Sequence, residues 1–415
     1  MSRILFTNVS VLDCTGARPF PGQVLVVNER IAAVAPKGDP ILAAGATVVD
    51  GLGGTLMPGL IESHSHLTFL DRPSSVEMGF VPPEEHMLLT AGIARRLLDA
   101  GFTSCMSAAS AKPRLDIALR NAIDAGELPG PRTLAASPEM TVSAGLGDVR
   151  LWHMYRENFA VVLNGAEEFR RFSREMVREG VDTLKINISG DAGTPAAPSD
   201  RTVMTEAEVE AVCEVARAHE LRVACHARNS ESVQMALRHG VEIIYHANFI
   251  DDTTCALLEG YADRVFVAPT LGATYTTLYE AGPWGMLVEG GERRGLGEEL
   301  RQGIQNMKAL HRRGVRVLPG GDYGFAWNRN GTNARDILHF VNLMGFTPME
   351  AILGATRLGG EIMMRGNELG QIKPGYLADL LLVDGDPLHD VGVLADPKRF
   401  LAIMKNGQMH ERSVH

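Results

Sequence analysis

The chain has 415 residues, of which 45% are hydrophobic and 22% are charged, the balance of an ordinary globular protein. Fifty acidic residues against forty basic ones give a net charge of −10, so the chain lacks the basic surface that a nucleic-acid-binding protein needs. No apolar run approaches the roughly 18–20 residues that span a bilayer. We therefore expect neither a nucleic acid nor a membrane among its partners.

The cysteines and the first residues of the chain predict its compartment. The five cysteines are scattered and none forms a CxxC pair, which excludes a zinc ribbon and a disulfide framework. The opening stretch MSRILFTNVSVLD alternates like a strand and has no long apolar core of a secretory signal. We expect a cytoplasmic protein in which most cysteines are small buried hydrophobic residues.

Both ends of the chain have the pattern of short strands joined by turns. Residues 1–56 contain ILFTNVSVLD and GQVLVVNERIAAVAP, and residues 358–415 contain GYLADLLLVDGDP and FLAIMKNGQMHE. Runs of β-branched residues separated by Gly, Pro, Asn and Asp are typical of strands and turns. Because neither end is long enough for a core of its own, we expect both to build one small β-sandwich domain.

The middle, residues 57–357, alternates short apolar strands with amphipathic helical stretches, the pattern of parallel βα units. The strand candidates are LMPGLIES, GFTSCMSA, PRTLAAS, VDTLKINIS, LRVACHA, VEIIYHA, RVFVAPT and GVRVLPGGD. In one helical stretch Thr205 and Glu208 have the spacing of a capping box. Eight units in about 300 residues predict an α/β fold, a (β/α)8 TIM barrel. A doubly wound sheet is the alternative, but no GxGxxG follows the first strand.

Four of the predicted strand ends carry histidine or aspartate. His64 and His66 end the first strand, His226 the fifth, His246 the sixth and Asp322 the eighth. Alternate residues of a strand point to the same side, and the strand ends of a barrel converge on one mouth. Neutral imidazole and carboxylate suit zinc, manganese, iron or nickel. The sequence therefore predicts a metal site at the mouth.

Lys185 lies in the middle of the apolar fourth strand, VDTLKINIS. A buried ammonium is costly, and a depressed pKa would leave a neutral, nucleophilic amine. Such an amine can take up carbon dioxide as a carbamate, an anion whose two oxygens can bridge two cations. The alternative is a lysine that snorkels from the strand end to solvent.

These residues, in this order, resemble the amidohydrolase superfamily, as do the stretches MPGLIESHSH and LGQIKPGYLADLLLVDGDPL. The resemblance covers nearly the whole chain. It is strongest to the imidazolonepropionase-like branch, which contains Xaa-Pro dipeptidases and some aryl-urea and carbamate hydrolases. The resemblance implies two divalent metal ions, zinc in the first place. Their ligands would be His64, His66 and Asp322 for one ion, His226 and His246 for the other, and Lys185, carboxylated by carbon dioxide, between them.

The resemblance also implies a reaction. A hydroxide that bridges the two ions would attack the carbonyl, and one ion would polarise that carbonyl. Asp322 would take the proton of the hydroxide and pass it to the departing nitrogen. Asp322 and Lys185 are therefore the predicted catalytic residues.

The chain departs from the dipeptidase pattern at two places. Dipeptidases of this branch usually have a histidine in a TGGH-like stretch after strand 3, where this chain has TVSAGLGD. His153 either substitutes for it or packs at the surface. Those dipeptidases often have His-Ala-Tyr after strand 5, where this chain has His-Ala-Arg. Arg228 either contacts a substrate carbonyl or carboxylate, or pairs with an acid such as Glu231.

Aromatic side chains are concentrated in the predicted loops at the barrel mouth. The three tryptophans and several other aromatic residues follow strands 1, 3, 7 and 8: Trp152, Trp284, Trp327, Phe69, Tyr155, Tyr275, Tyr279 and Phe325. They either form flat apolar walls for a ring-bearing substrate or pack loops and a subunit interface. The predicted substrate contacts are Arg228, Trp152, His153, Tyr275 and Trp327.

The sequence thus favours a metal-dependent hydrolase that cleaves an amide, urea or carbamate C–N bond of a small aryl or apolar substrate. A Xaa-Pro dipeptidase or N-acyl amino acid hydrolase is the alternative with the same chemistry. Deaminases of the superfamily generally use one metal and lack the lysine of strand 4, so Lys185 counts against deamination. A non-catalytic scaffold on the same fold is the alternative of another class. We expect a small-molecule substrate and a homo-oligomer.

Overall fold

The structure, a computed structural model, describes residues 2–154, 156–194 and 196–411. Its strands are β1 Arg3–Val11, β2 Phe20–Val27, β3 Arg30–Pro36, β4 Thr47–Asp50, β5 Thr55–Pro58, β6 Leu60–Ser65, β7 Phe102–Ser107, β8 Arg132–Leu134, β9 Ala136–Thr141, β10 Val161–Val162, β11 Thr183–Asn187, β12 Arg222–Asn229, β13 Ile243–Phe249, β14 Phe266–Ala268, β15 Arg316–Val317, β16 Leu380–Val383, β17 Phe400–Lys405 and β18 Gln408–Met409. Its α-helices are α1 Val76–Gly79, α2 Pro83–Asp99, α3 Leu115–Asp124, α4 Ala166–Glu179, α5 Glu206–Ala218, α6 Ser230–His239, α7 Asp252–Glu259, α8 Leu271–Tyr279, α9 Val288–Arg293, α10 Leu296–Arg312, α11 Arg335–Asn342, α12 Pro348–Gly354 and α13 Arg357–Ile362.

Strands from both ends of the chain join in one hydrogen-bonded sheet. Its order is β18-β17-β16-β5-β1-β2-β3, with β4 also paired to β1. The junction between the two ends is the antiparallel pair β5 and β16. The two ends of the chain therefore share one sheet, as expected. That they form a β-sandwich, with domain boundaries at residues 56 and 358, stays a prediction.

The middle of the chain is a ring of parallel strands. One sheet has the order β6-β7-β8, and a second contains β9-β11-β12-β13-β14-β15, with β10 beside β9. Strands β8 and β9 are consecutive, separated by a single residue, and so link the two sheets. On the far side Ser65 pairs with Tyr323 in a parallel bridge, which brings the stretch after β15 against β6. The fold is a parallel α/β TIM barrel, and the doubly wound alternative is wrong.

The strands of the barrel are buried on both faces, since helices cover the outside. Every residue of β6 and of β11 is buried, as is usual for parallel sheets. The helices turn an apolar stripe inward; on α4 it consists of Phe169, Phe172 and Met176, at helical spacing. All five cysteines are buried and free, as expected. None of the helices in the described ranges is long and apolar enough to cross a membrane.

Gly59 marks the passage from the sheet of the chain ends to the barrel. It lies between β5 and β6, so the predicted first strand, LMPGLIES, is in fact divided between two sheets. A Cβ atom on Gly59 would lie 2.1 Å from Oγ1 of Thr103, so the close approach of the backbone to β7 requires glycine. Because only Gly59 separates β5 from β6, the position of His64 in β6 depends on the sheet formed by the two chain ends.

The predicted capping box at the start of α5 is confirmed. The Glu208 backbone amide donates to Thr205 Oγ1 at 3.4 Å, and the Thr205 amide donates to Glu208 Oε2 at 2.8 Å. Thr205→Ala leaves one of these amides without its partner, so we expect the free energy of unfolding to fall by about 1 kcal/mol. Urea denaturation measures this, with Thr205→Ser, which keeps the hydroxyl, as the control. Equal midpoints for the alanine variant and the wild type would contradict the prediction.

Candidate metal centre

The side chains of His64, His66 and Asp322 meet at one point. Asp322 Oδ1 lies 3.3 Å from His64 Nε2 and 3.1 Å from His66 Nε2. One ligand atom from each of the three residues lies within 4.8 Å of the others. The alternation along β6 and the position of Asp322 after β15 therefore bring together these three predicted ligands.

The chemistry of this trio suits a cation. Burial lowers the pKa of His64 to about 4, so its imidazole is neutral near pH 7 and keeps a lone pair. Oδ1 of Asp322 is a buried atom that accepts no hydrogen bond from the described residues. A buried carboxylate oxygen that faces two imidazole nitrogens without a donor is costly, and a cation held among them removes that cost.

His226 and His246 form a second pair on neighbouring strands, with ring centroids 4.1 Å apart. Nε2 of His226 lies 2.9 Å from the carbonyl oxygen of Gly190, and Nδ1 of His246 lies 2.5 Å from Oγ1 of Thr270. A carbonyl oxygen only accepts, so Nε2 of His226 carries the proton and its Nδ1 keeps a lone pair. The hydroxyl of Thr270 can donate or accept, so this contact orients the ring of His246 without fixing its tautomer.

Lys185 is buried in β11, with 1% of its surface exposed, and so does not snorkel to solvent. Its Nζ lies 3.8 Å from Oε1 of Glu139 and 4.8 Å from the centre of the Tyr245 ring. Burial lowers its pKa, although the facing Glu139 works in the opposite direction. This direction agrees with the expectation of a more readily deprotonated amine, which is the form that takes up carbon dioxide.

The backbone is strained where the strands meet the site. His246, Thr270 and Asp322 have positive φ values of 81°, 59° and 59°, although none of them is glycine. Non-glycine residues in this region cost of order 1–3 kcal/mol each, and they cluster at functional sites. Two of these strained residues, His246 and Asp322, are themselves predicted ligands, and the third, Thr270, contacts His246.

These side chains form the floor of a cavity of about 540 Å³. Its wall is largely apolar: Phe69, Val76, Leu146, Val149, Leu151, Phe159, Ala273, Met286, Leu296, Phe325 and Trp327. The rings of Phe325 and Trp327 are stacked, with centroids 5.7 Å apart and an angle of 16° between their planes. Nε1 of Trp327 donates to Oγ1 of Thr277 at 2.8 Å, which fixes the indole. The size and the wall suit a small aromatic or apolar group.

Arg228 also lines the cavity, but its guanidinium is already paired with two acids. Nε and Nη2 donate to Oδ2 of Asp191 at 2.9 and 2.6 Å, and Nη1 donates to Oε1 of Glu299. Of the two predicted roles, pairing with an acid is therefore the one observed. The partners are Asp191 and Glu299 rather than the predicted Glu231.

Three of the predicted substrate contacts lie away from the cavity lining. Trp152 and His153 are exposed to solvent, whereas the neighbouring Leu151, although partly exposed, contributes to the cavity lining. Tyr275 on α8 is partly buried, and the centre of its ring lies 5.0 Å from that of Tyr279 and 4.8 Å from that of His339. None of these three side chains lines the cavity, and their contact with a substrate stays a prediction. Tyr155, also predicted to lie at the mouth, falls outside the described residues.

Several residues of the cavity were not predicted from the sequence. Glu139 was missed because the predicted third strand stopped at Ser137, whereas the strand continues to Thr141. Asp191 directly follows strand 4, a position that could have been recognised as facing the mouth. Glu299 comes from α10 and carries no such signal, because a glutamate in a helix usually faces solvent.

Residues 55–409 match the profile of the amidohydrolase family. The chain belongs to this family. It is 22% identical to ochratoxinase from Aspergillus niger, over 94% of this chain and 83% of that protein. It is 25% identical to imidazolonepropionase from Aromatoleum aromaticum, over 92% of this chain and 91% of that protein. A solved structure of a prolidase complexed with N-methylphosphonate-L-proline has a TM-score of 0.89 and 26% identity, over 99% of this chain and 100% of that chain. As a member of this family, the protein is a hydrolase that acts on C–N bonds.

Proposed function

We propose that the enzyme is metal-dependent and that its substrate is a small aryl or apolar amide, urea or carbamate. The observation that carries this proposal is the convergence of His64, His66 and Asp322, within 4.8 Å of one another, beneath a cavity with an aromatic wall. We infer the type of bond from membership of the family and the preference for an apolar group from the largely apolar wall of the cavity.

The residues present suit two divalent ions, zinc in our proposal. One ion would be held by His64, His66 and Asp322. The other would be held by His226 and His246, with Lys185 as a carbamate between the two ions. When bound, such a pair of ions lowers the pKa of water to near neutrality and polarises the scissile carbonyl.

Asp322 is the group that we propose to move protons. Its Oδ1 atom lies 3.3 Å from Nε2 of His64 and 3.1 Å from Nε2 of His66, so the carboxylate is beside the place where we expect water to attack the carbonyl. It would accept a proton from the attacking water and deliver it to the departing nitrogen, which would otherwise leave as an unstable anion.

The aromatic wall gives a prediction about substrate binding. Trp327→Ala removes the indole that stacks on Phe325, so we expect kcat/KM for an aryl substrate to fall by roughly 10-fold, about 1.4 kcal/mol. Steady-state kinetics measures this. Trp152→Ala is the matched control, because its indole is exposed and should leave kcat/KM unchanged. Equal losses in the two variants would contradict this assignment of the wall.

Two measurements test the proposed function. Elemental analysis of the purified protein should find about two equivalents of a divalent metal. A non-catalytic scaffold would carry no stoichiometric metal. A hydrolysis screen of aryl ureas, anilides, carbamates and N-acyl amino acids on the metal-loaded enzyme should find turnover of a neutral aryl compound. Turnover of Xaa-Pro dipeptides alone would favour the dipeptidase alternative instead.

We also propose a cytoplasmic homo-oligomer. The support for a reducing compartment is that all five cysteines are buried and free. The support for association is that large apolar side chains are exposed, among them Phe80, Leu88 and Trp152. Light scattering coupled to gel filtration would measure the subunit number, and a monomer at micromolar concentration would contradict the proposal.

A further inference from the structure

The guanidinium of Arg228 has little capacity left for a substrate. The side chain is 8% exposed, and all three of its nitrogens donate to Asp191 or Glu299. A substrate carboxylate would have to displace one of these acids and leave it without its cation. Breaking an ion pair of this kind is strongly destabilising, because it leaves a charge without its partner in a largely desolvated place. Arg228 is therefore unsuited to anchor an anionic substrate.

Its contact with Asp191 leads instead to a predicted metal ligand. Asp191 follows Gly190, whose carbonyl oxygen lies 2.9 Å from Nε2 of His226. Oδ2 of Asp191, the atom that Arg228 binds, lies 3.9 Å from the same nitrogen. The turn is tightly packed, since a Cβ atom on Gly190 would lie 1.9 Å from the carbonyl oxygen of Ala197. Holding Asp191 therefore holds the carbonyl that orients His226.

The opposite side of the guanidinium is fixed as well. Glu299 on α10 accepts from Arg228 and also from Oγ1 of Thr274, at 3.2 Å. The side chain of Glu299 is buried, with 1% of it exposed. Arg228 thus connects the turn after β11 with α8 and α10, and it cannot shift without disturbing both acids.

We propose that Arg228 is a positioning residue, which acts through Asp191 to hold the carbonyl of Gly190 against the imidazole of His226. The Nε2–H of His226 donates to this carbonyl, which leaves the lone pair on Nδ1 for a metal ion. This role rests on the proposed metal centre. In this role, replacing Arg228 should lower activity on every substrate by the same factor. If Arg228 instead bound a substrate carboxylate, its replacement would affect anionic substrates alone.

The experiment compares Arg228→Met, Asp191→Asn and Arg228→Lys with the wild-type enzyme. Calorimetric titration of the metal-free proteins with Zn²⁺ measures each of the two equivalents, and kinetics on benzanilide and N-benzoyl-L-phenylalanine measures kcat and KM. We expect Arg228→Met and Asp191→Asn each to weaken one zinc equivalent by roughly 10–100-fold, as loss of a partner behind a metal ligand does. Both should lower kcat by the same factor on the two substrates. Arg228→Lys keeps the positive charge but not the planar guanidinium that donates to both acids. Its zinc affinity and kcat should therefore lie between those of the other two variants and those of the wild type.

Arg222→Met is the matched control, because Arg222 begins the same strand and pairs with Glu242 at 2.7 Å, away from the cavity lining. It should keep both zinc equivalents even if the protein is less stable. Two zinc equivalents of wild-type affinity in Arg228→Met, with a higher KM for N-benzoyl-L-phenylalanine alone, would overturn the proposal. If Arg228→Met does not fold, Asp191→Asn decides, since it is isosteric and its side chain is 24% exposed. Wild-type protein that binds no zinc would overturn the proposed function itself.

Discussion

Lys185→Ala should strip the enzyme of metal and lower its activity by more than about 10²-fold, beyond the loss expected for a partner behind a metal ligand. Lys185 is buried and lines the same cavity as the five other predicted ligands, and in our proposal its carbamate is the bridge between the ions. Without it, the bridging anion that would offset part of the charge of two cations is missing. Elemental analysis and steady-state kinetics measure both effects. Short-chain carboxylic acids, which offer the same two oxygens, should restore part of the metal and part of the activity.

Removing Lys185 also takes away the Nζ atom that lies 3.8 Å from Oε1 of Glu139. Loss of stability must therefore be separated from loss of the bridge. The double variant Lys185→Ala/Glu139→Gln removes the unpaired charge, so it should regain stability in thermal unfolding but not metal or activity. A Lys185→Ala enzyme with wild-type turnover and two metal equivalents would contradict the binuclear proposal.

Asp322→Asn should keep the fold and lower kcat by roughly 10²–10⁴-fold, the usual loss when a group that moves a proton is removed. Asparagine has the size and the oxygen of aspartate, but its amide cannot accept a proton. The profile of kcat against pH should change with it, because the group that carries the proton is gone. Kinetics across the pH range measures both effects, and metal analysis reports whether the ions are retained.

Asp336→Asn provides the control for a buried aspartate near the same strand. Oδ2 of Asp336 accepts from the amide of Gly320 at 2.8 Å, and the residue does not line the cavity. Its replacement should alter stability and leave the pH profile in place. If Asp322→Asn kept both kcat and the wild-type pH profile, Asp322 would have no part in proton transfer.

The fold was predictable because its signals are local and repeated. Each barrel strand is an apolar run between turn residues, and the residues that end these runs are adjacent in a barrel regardless of their distance along the chain. Strand lengths were less predictable. Strand 3 extends past Ser137 to Thr141, since packing against β11 outweighs the weak strand propensity of Pro138 and Glu139.

The residues of the candidate site likewise divide into those that the sequence predicts and those that it does not. The convergence of His64, His66 and Asp322 follows from strand geometry, and the structure brings these residues together. The positions of loop residues do not follow from such a rule. Trp152 and Trp327 both lie in loops that follow barrel strands, yet Trp152 is exposed to solvent and Trp327 lines the cavity. The partners of Arg228 were not predictable either, because Glu299 reaches it from a helix 71 positions away. Loop conformation and contacts between distant elements depend on packing that a single sequence does not encode locally.

The sheet that joins both ends of the chain has a consequence for biosynthesis. Strand β5 pairs with β16, which leaves the ribosome only after the whole barrel has been made. Until then the nascent protein presents an open, apolar strand edge, which is the kind of surface that aggregates or recruits chaperones. Pairing over so long a separation is also slow. A chain that terminates before Leu380 cannot cover this edge, so prematurely ended products should be removed by the quality control of the cell rather than accumulate as partial enzymes.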